Sequence, residues 1–266
     1  RLQTPDSLVF SPPMDAVAFD LWETLITDTP RAARLQENRR LAAIEQLLRE
    51  AGRPHTRESI EAAYRHTWHR CNELYWSQDR DIEPRRQIEH MLEHLLGEGD
   101  PLEEPLVAAI EHAYAFAAAE DLPELVEGAA DVVAALGARY PLGLISNTGR
   151  TPGWVLREVL GKLGLAGAFR VLVFSNEHGE CKPERSIFET LRAALGMPAG
   201  RIVFVGDNLY ADVWGAQQAG MRAVHFDNPA RGQAIGPRTR EVGTIAPHAT
   251  IRSLRELPPL LEEWER

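Results

Sequence analysis

The sequence predicts an α/β fold, a doubly wound parallel sheet interrupted by an inserted α-helical segment. Two patterns carry this prediction. Short apolar runs of strand length occur near the start of the chain, and again after Pro123, where they alternate with helical stretches. Between them, from about residue 31 to 120, apolar residues recur at helical spacing and no convincing strand interrupts them. Alternating strands and helices favour right-handed crossovers, and therefore a parallel sheet with helices on both faces.

The composition narrows the class of protein. A chain of 266 residues suits one domain with a large insertion, or two domains. Its net charge of −10 argues against a nucleic-acid surface, and no apolar run approaches the ~20 residues of a membrane span. The two cysteines, Cys71 and Cys181, match no metal or redox spacing, which indicates free thiols in a reducing cytoplasm. We therefore expect a cytoplasmic monomer or homodimer that binds a small-molecule substrate and neither nucleic acid nor membrane.

The first half of the chain contains one predicted strand and four predicted helices. Residues 1–14 are expected to be an irregular lead-in, and the apolar run Val17–Phe19 is typical of a buried strand. This run stops at Asp20. The helices of the inserted segment are predicted at about Arg31–Gly52, Arg57–Trp76, Pro84–Leu96 and Glu103–Ala119.

After Pro123 the predicted elements alternate. The strands are predicted at Leu142–Ile145, Val171–Phe174, Ile202–Val205 and Ala223–Phe226, the last of which should end the sheet. The helices are predicted at Glu124–Leu136, Trp154–Leu163, Arg185–Leu195 and Ala211–Ala219, with a short closing helix within Ile251–Trp264. Asn228–Thr244, which contains several Gly and Arg residues, is predicted to be a surface loop.

Four polar clusters each follow the carboxyl end of a predicted strand. They are Asp20 with Thr24, Ser146-Asn147, Lys182, and Asp207 with Asp212. Because ligands of open α/β sheets bind at the carboxyl ends of the strands, we expect the clusters to converge. Two or three carboxylates there would bind Mg²⁺, and a hydroxyl, an amide and an ammonium could hold the oxygens of a phosphoryl group. Asp20 would then be free to attack phosphorus and form an aspartyl-phosphate.

This ordered set of motifs resembles the haloacid dehalogenase (HAD) superfamily of hydrolases over nearly the whole chain. The resemblance implies a Rossmann-like core domain of residues 1–30 and 121–266, and a helical cap domain of residues 31–120 inserted after the first motif. It also implies that the Asp20 strand lies beside the Asp207 strand in the core sheet.

The resemblance also implies roles for individual residues. Asp20 would be the nucleophile, Thr24 would belong to the turn after it, and Ser146-Asn147 and Lys182 would bind the transferring group. The Mg²⁺ ligands would be Asp20, Asp207, the backbone carbonyl of Trp22 and, as a ligand or an orienting group, Asp212. Independently of the resemblance, Arg150, which follows the second cluster, could meet a substrate anion or be a solvated loop residue. The cap aromatics Trp68, Tyr75 and Trp76 could line a substrate pocket or form the core of the helical bundle.

One position departs from the family pattern. Phosphatases of the superfamily usually carry a second Asp two residues after the nucleophile, which protonates the leaving oxygen and then activates water. This chain has Trp22 there, which can do neither. Glu23 is adjacent, but the next residue of an extended chain points the other way. Losing a general acid typically costs on the order of 10²–10⁴ in rate.

Three functions are compatible with Trp22. A Mg²⁺-dependent phosphatase would favour esters or anhydrides whose leaving group departs without a proton, or would take its acid from a cap residue. A 2-haloacid dehalogenase would use an Asp20 ester intermediate, and those relatives carry an aromatic residue here but typically lack the acid that Asp207 provides. A non-catalytic binding protein is the third possibility. Retention of Asp20, Lys182, Asp207 and Asp212 argues against the binding protein, and Asp207 favours the phosphatase over the dehalogenase.

Overall fold

The computed structural model describes residues 14–97, 103–229 and 244–266. The predicted lead-in, apart from its last residue, and nearly all of the predicted loop at 228–244 lie outside these ranges. Within them, no helix combines the length and apolar character that crossing a membrane would require.

The strands of the described chain form one main sheet and one small antiparallel pair, β2 with β3. The strands are β1 (Ala16–Phe19), β2 (Ile26–Thr27), β3 (Glu124–Leu125), β4 (Leu142–Ser146), β5 (Phe169–Phe174), β6 (Ile202–Gly206), β7 (Arg222–Phe226) and β8 (Ala249–Ile251). The main sheet is parallel, with strand order β5-β4-β1-β6-β7-β8. This confirms the predicted doubly wound parallel sheet and places β1, with Asp20 at its end, beside β6.

The helices lie in two groups. The first four are α1 (Pro30–Glu50), α2 (Arg57–Leu74), α3 (Pro84–Leu96) and α4 (Glu104–Glu120). The others are α5 (Ala129–Gly137), α6 (Gly153–Lys162), α7 (Ser175–His178), α8 (Arg185–Leu195), α9 (Gly215–Gln218) and α10 (Leu257–Trp264). Local chemistry fixes several starts: the hydroxyls of Thr29 and Thr56 accept backbone hydrogen bonds of 3.2 Å at the first turns of α1 and α2.

The central strand shows why both faces of the sheet are covered. All four residues of β1 are fully buried. Val17 and Phe19 belong to the core cluster that contains α5, α6 and α10, whereas Ala16 and Ala18 belong to the cluster that contains α8 and α9. Because side chains alternate along a strand, this apolar run requires a layer of helices on each side.

Helices α1 to α4 pack around an apolar cluster of their own. It includes Leu41, Ile44, Tyr64, Ile88, Met91 and Ile110. Helix α4 also joins the main core, since Ala115, Ala118 and Ala119 belong to the cluster beneath β1. The helical segment therefore has an independent core and a packed contact with the sheet domain.

Three predicted elements are wrong in part. Glu124–Leu136 was expected to be one helix, but Glu124–Leu125 pairs with Ile26–Thr27 as strands, and Gly128, with φ of 82°, precedes the start of α5. The sheet does not end at β7, because β8 follows it. The expected helix at Ala211–Ala219 begins as a π-helical turn at Leu209–Trp214 before α9. Each difference depends on tertiary pairing or on a very short element, which local periodicity does not reveal.

Candidate active site

The carboxyl ends of β1 and β6 bring three carboxylates together. Asp20 directly follows β1 and Asp207 directly follows β6, and the Asp20 N–H donates to the Val205 carbonyl over 2.9 Å. Asp212 lies in the π-helical turn beyond β6. One carboxylate oxygen from each of the three lies within 4.8 Å of the others, and all three residues are buried. The predicted convergence of these aspartates therefore occurs.

Lys182 joins this group through its ammonium. Its Nζ donates to Asp20 Oδ1 over 2.5 Å, to Asp212 Oδ1 over 2.6 Å and to the Ile145 carbonyl over 3.2 Å. The backbone of Lys182 is held by the amide of Asn147, which accepts from Lys182 N over 2.8 Å and donates to Lys182 O over 3.1 Å. The second and third predicted motifs thus meet: Asn147 positions Lys182. We call Asp20, Lys182, Asp207 and Asp212 the strand-end site.

Thr24 and Ser146 have different surroundings. The Thr24 hydroxyl donates to Asp20 Oδ2 over 2.9 Å, so both oxygens of Asp20 accept hydrogen bonds. Ser146 is completely buried, and its Oγ donates to the Asn147 carbonyl over 3.4 Å. It is not among the described residues that line the cavity.

Two residues that support Asp212 were missed in the sequence. A Cβ on Gly206 would lie 2.4 Å from the Asp212 carboxyl carbon, so only glycine permits this approach. The N–H of Asn208 donates to Asp212 Oδ2 over 2.9 Å, while the Asn208 side chain accepts from Tyr210 N and Ala211 N. The signal was available, since Gly-Asp-Asn follows an apolar run and Asn is a preferred helix N-cap.

The charges and donor atoms of the strand-end site fit a Mg²⁺ ion. Three buried carboxylates face one ammonium, so the site carries excess negative charge that a divalent cation would neutralise. Carboxylate oxygens are the ligands that Mg²⁺ prefers. Asp20, Asp207 and Asp212 would hold it.

Burial also changes the acidity of the site. Burial raises the pKa of Asp20 to about 6, although the charge of Lys182 acts in the opposite direction. Burial by itself would lower the pKa of Lys182, but its two carboxylate partners outweigh this and raise that pKa above its ordinary value. Lys182 therefore remains a cation at neutral pH.

A cavity of about 680 Å³ opens onto the strand-end site. Its lining includes all four residues of that site and Trp22, together with Arg150 from the loop after β4. The helical segment contributes a second side, which we call the helical wall: Arg40, Trp68, Trp76 and Asp81. Of the predicted substrate contacts, Arg150, Trp68 and Trp76 thus line the cavity. Tyr75 instead hydrogen-bonds His90 through its hydroxyl, at 3.2 Å, and is not among the described lining residues.

Trp22 occupies the position of the expected second acid, and Glu23 is the next residue. Trp22 is half-buried, packs against the main core and lines the cavity. Glu23 has a φ of 61° and also lines the cavity, but both of its carboxylate oxygens accept from the Thr27 hydroxyl at 3.0 Å. The Glu23 carboxylate is thus tied to the turn that follows the nucleophile.

Asp81, which sequence reasoning missed, connects the helical segment to the sheet. Its Oδ1 accepts from Trp76 Nε1 over 2.8 Å and from Ile82 N over 2.9 Å. Its Oδ2 accepts from the hydroxyls of Thr148, at 3.0 Å, and Ser175, at 2.5 Å. Burial nevertheless raises the pKa of Asp81. No local pattern marks this residue, because its partners come from three separate parts of the chain.

Comparisons with known proteins agree with this architecture. A family model described as haloacid dehalogenase-like hydrolase matches residues 14–220. The chain is 31% identical over 211 residues to the glyceraldehyde 3-phosphate phosphatase of Methanothermobacter thermautotrophicus, covering 79% of this chain and 84% of that protein. It is 33% identical over 137 residues to the pyrimidine 5'-nucleotidase YjjG of Escherichia coli, covering 50% of this chain but only 55% of that protein.

Solved structures show the same fold. A 2-haloacid dehalogenase from Pseudomonas syringae superposes with a TM-score of 0.67 at 24% identity, covering 94% of this chain and 99% of the other. A HAD phosphatase from Thermococcus onnurineus superposes with a TM-score of 0.55 at 23% identity, covering 93% and 98%. At such identities the likeness extends to the fold and not to the reaction.

Proposed function

The chain belongs to the haloacid dehalogenase-like hydrolases, and from this premise we propose that it is a Mg²⁺-dependent phosphatase acting on a small phosphorylated metabolite. The observation that carries the proposal is the meeting of three buried carboxylates with a single lysine. Without a bound cation this site would repel any anionic substrate. A divalent cation reverses that repulsion, and a phosphate ester then becomes a suitable ligand.

In the proposed reaction Asp20 is the nucleophile. Its carboxylate attacks phosphorus, the bond to the leaving oxygen breaks, and an aspartyl-phosphate forms. Water then attacks phosphorus and releases phosphate, which restores the carboxylate. Thr24 and Lys182 orient the two oxygens of Asp20. Bound Mg²⁺ would supply charge stabilisation for the phosphoryl oxygens.

The remaining predicted residues take supporting roles in this proposal. The Lys182 ammonium balances charge on the phosphoryl group, and Asn147 holds Lys182 in place. Asp207 and the backbone carbonyl of Trp22 serve as metal ligands, with Asp212 as a ligand or an orienting group. Residues 31–120 act as the cap domain over the core domain formed by residues 1–30 and 121–266, and Trp68 and Trp76 form apolar walls of the substrate site.

Trp22 determines which esters react well. It cannot protonate a leaving oxygen, so that oxygen takes its proton from water. The aryloxide of an aryl phosphate and the carboxylate of an acyl phosphate leave readily without an acid, whereas the alkoxide of an alkyl phosphate does not. We therefore propose a preference for good leaving groups.

A second candidate function rests on the same residue. A halide leaves carbon without a proton, so Trp22 at the acid position also suits a 2-haloacid dehalogenase that forms an Asp20 ester. The excess negative charge of the strand-end site disfavours a carboxylate substrate in the absence of a metal, which is why we place this candidate second.

The proposal also concerns the setting of the enzyme. Both cysteines are free and buried, and the two do not form a disulfide. Free thiols are typical of a reducing compartment. We propose a cytoplasmic enzyme that acts as a monomer or a homodimer.

The test is phosphate release from p-nitrophenyl phosphate, acetyl phosphate and an alkyl phosphate, each with Mg²⁺ and with EDTA. Mg²⁺-dependent release, fastest for the first two, supports the phosphatase. Halide release from 2-chloropropionate in EDTA, with no phosphate release, would instead establish the dehalogenase. Absence of both reactions, with retained binding of phosphate esters, would leave a non-catalytic binding protein.

A further inference from the structure

We propose that the substrate carries a second anionic group, a carboxylate or another phosphoryl group, which binds Arg150 and Arg40 at the end of the cavity away from phosphorus. This inference deepens the proposed phosphatase function and rests on it, because it takes the strand-end site as the place of the reacting phosphoryl group. The chemical class of the substrate is therefore a small phosphate ester with an acidic tail.

Arg150 is a cation without an anionic partner. Its guanidinium carbon lies 4.3 Å from the ring centroids of both Tyr64 and Trp68. Its Nε is buried and has no hydrogen-bond partner, and no ion pair involves Arg150 within residues 14–97, 103–229 and 244–266. Aromatic faces stabilise a guanidinium while leaving its in-plane N–H groups available to a ligand. Arg150 lines the cavity, so its side chain lies beside the substrate space.

Arg40 is the second cation of this end of the cavity. It is buried, and its Nε donates to the Tyr114 carbonyl over 2.8 Å. Its Nη2 approaches the hydroxyl of Thr151, the residue after Arg150, at 3.5 Å. No carboxylate of the described chain lies within 4.0 Å of its nitrogens. The cavity lining thus contains guanidinium groups from two elements, Arg150 in the loop after β4 and Arg40 on α1.

Neither Asp28 nor Asp81, which line the same cavity, forms an ion pair with these arginines. Asp81 already accepts four hydrogen bonds from other groups. Asp28 accepts from Gln36 over 2.8 Å, and burial raises its pKa despite a lowering influence from Arg40. Burying an unpaired charge is unfavourable, and a ligand anion would relieve this cost through charge-assisted, bidentate hydrogen bonds.

The cavity lining therefore offers cationic groups besides the Lys182 ammonium. The strand-end site is acidic and would accept a phosphoryl group together with Mg²⁺, whereas Arg40 and Arg150, which line the same cavity, form no ion pair within the described residues. The aromatic side chains of Trp68 and Trp76 lie along the same cavity. A molecule with a phosphoryl group at one end and a second anion at the other matches this distribution.

The first experiment compares substrates that differ only in the tail. We would measure kcat/KM with Mg²⁺ for 2-phosphoglycolate, ethane-1,2-diol bisphosphate and 2-hydroxyethyl phosphate, and for their three-carbon homologues. These esters share a primary alkoxide leaving group and differ in tail charge. We expect the better of the two anionic tails to exceed the hydroxyl tail by about tenfold or more, as charge-assisted hydrogen bonds imply. Which anionic tail is better distinguishes carboxylate from phosphate.

The second experiment removes the cations. Arg150→Met and Arg40→Met should each lower kcat/KM for the anionic-tail ester about tenfold more than for the hydroxyl-tail ester. Arg34→Met, on the exposed side of the same helix α1, is the matched control and should leave both values unchanged. Because Arg40 also anchors the Tyr114 carbonyl, the Arg150 variant decides the matter if the Arg40 variant does not fold.

Binding to Asp20→Asn separates this inference from the phosphatase proposal. Calorimetry with the same esters should show the same preference for anionic tails without turnover. If the wild-type enzyme hydrolyses the esters with equal efficiency for all tails, the second-anion inference is wrong and the phosphatase stands. If the esters bind with a tail preference but neither they nor p-nitrophenyl phosphate is hydrolysed, the phosphatase proposal fails and the anion subsite remains.

Discussion

The strand-end site and the helical wall face each other across one cavity, but the chain builds them in different ways. Asp20 and Asp207 directly follow buried strands, and Asp212 and Lys182 lie further along the segments that leave β6 and β5, so the sheet brings all four to one edge. Residues of the helical wall come from α1, α2 and the segment before α3, and only helix packing brings them together. The catalytic residues of such an enzyme can therefore be predicted from the sequence because they follow strands, whereas the residues that select the substrate are brought together by tertiary contacts.

The largest effect is expected from a substitution that removes the nucleophile of the strand-end site. Asp20→Asn should lower phosphate release from p-nitrophenyl phosphate by at least about 10³-fold, since an amide cannot form the aspartyl-phosphate. The exposed Asp131→Asn on α5 is the control and should retain full activity. Substantial activity in Asp20→Asn would mean that the strand-end site does not supply the nucleophile, and the comparison between the two sides would lose its basis.

This difference explains why the sequence predicted the strand-end site better than the helical wall. Asp20, Lys182, Asp207 and Asp212 were assigned correctly to one place because a strand ends just before each motif or shortly upstream of it. Arg40 and Asp81 lie in helical or irregular segments, and nothing in their neighbourhood marks them.

The aromatic residues illustrate the same limit. Trp68, Tyr75 and Trp76 were predicted together as substrate contacts, but Tyr75 and Trp76 are consecutive and point to different partners: Tyr75 reaches His90, whereas Trp76 donates to Asp81. The residue types alone do not show that Trp76 lines the cavity and that Tyr75 does not. Strand β8 was missed for a related reason, since three residues are too few to show periodicity.

The next largest effect is expected at Trp22, which lines the cavity together with the strand-end site and the helical wall. Trp22→Asp should raise kcat/KM for an alkyl phosphate by up to about 10²-fold, because it restores a general acid two residues after the nucleophile. The gain on p-nitrophenyl phosphate should be much smaller, since that leaving group needs no proton. Trp22→Asn, a polar residue that cannot donate its proton to the leaving group, is the matched control. Equal gains in both variants would show that removal of the indole, and not the new acid, changes the rate.

A smaller effect concerns the metal. Asp207→Asn should weaken Mg²⁺ binding by at least about 10-fold, since losing even the groups that orient a metal ligand typically costs 10- to 100-fold in affinity. Magnesium titrations of phosphatase activity, and of the melting temperature, provide two readouts. EDTA should abolish activity of the wild type, and excess Mg²⁺ should partly restore the variant. An unchanged Mg²⁺ dependence in Asp207→Asn would remove this residue from the metal site.

A substitution in the helical wall should change the free energy of unfolding more than the rate of the reaction. Asp81→Asn replaces one acceptor oxygen by a donor amide, so two of four hydrogen bonds to Asp81 cannot form. We expect a loss of about 2 kcal/mol in the free energy of unfolding, measured by urea denaturation. Asp227→Asn, at a more exposed position, serves as control. A loss as small as that of the control would show that Asp81 does not hold the helical segment to the sheet.

The smallest expected effect is the pH dependence of that loss. Burial raises the pKa of Asp81 above its ordinary value of 3.8, so the folded chain binds a proton here more tightly than the unfolded chain does. This group therefore favours the folded state increasingly as the pH falls from neutral through the raised pKa towards 3.8. Asparagine does not titrate. The cost of Asp81→Asn, measured against wild type at each pH, should grow on acidification, whereas a cost that shrinks would mean that the hydrogen bonds to the ionised carboxylate outweigh its burial.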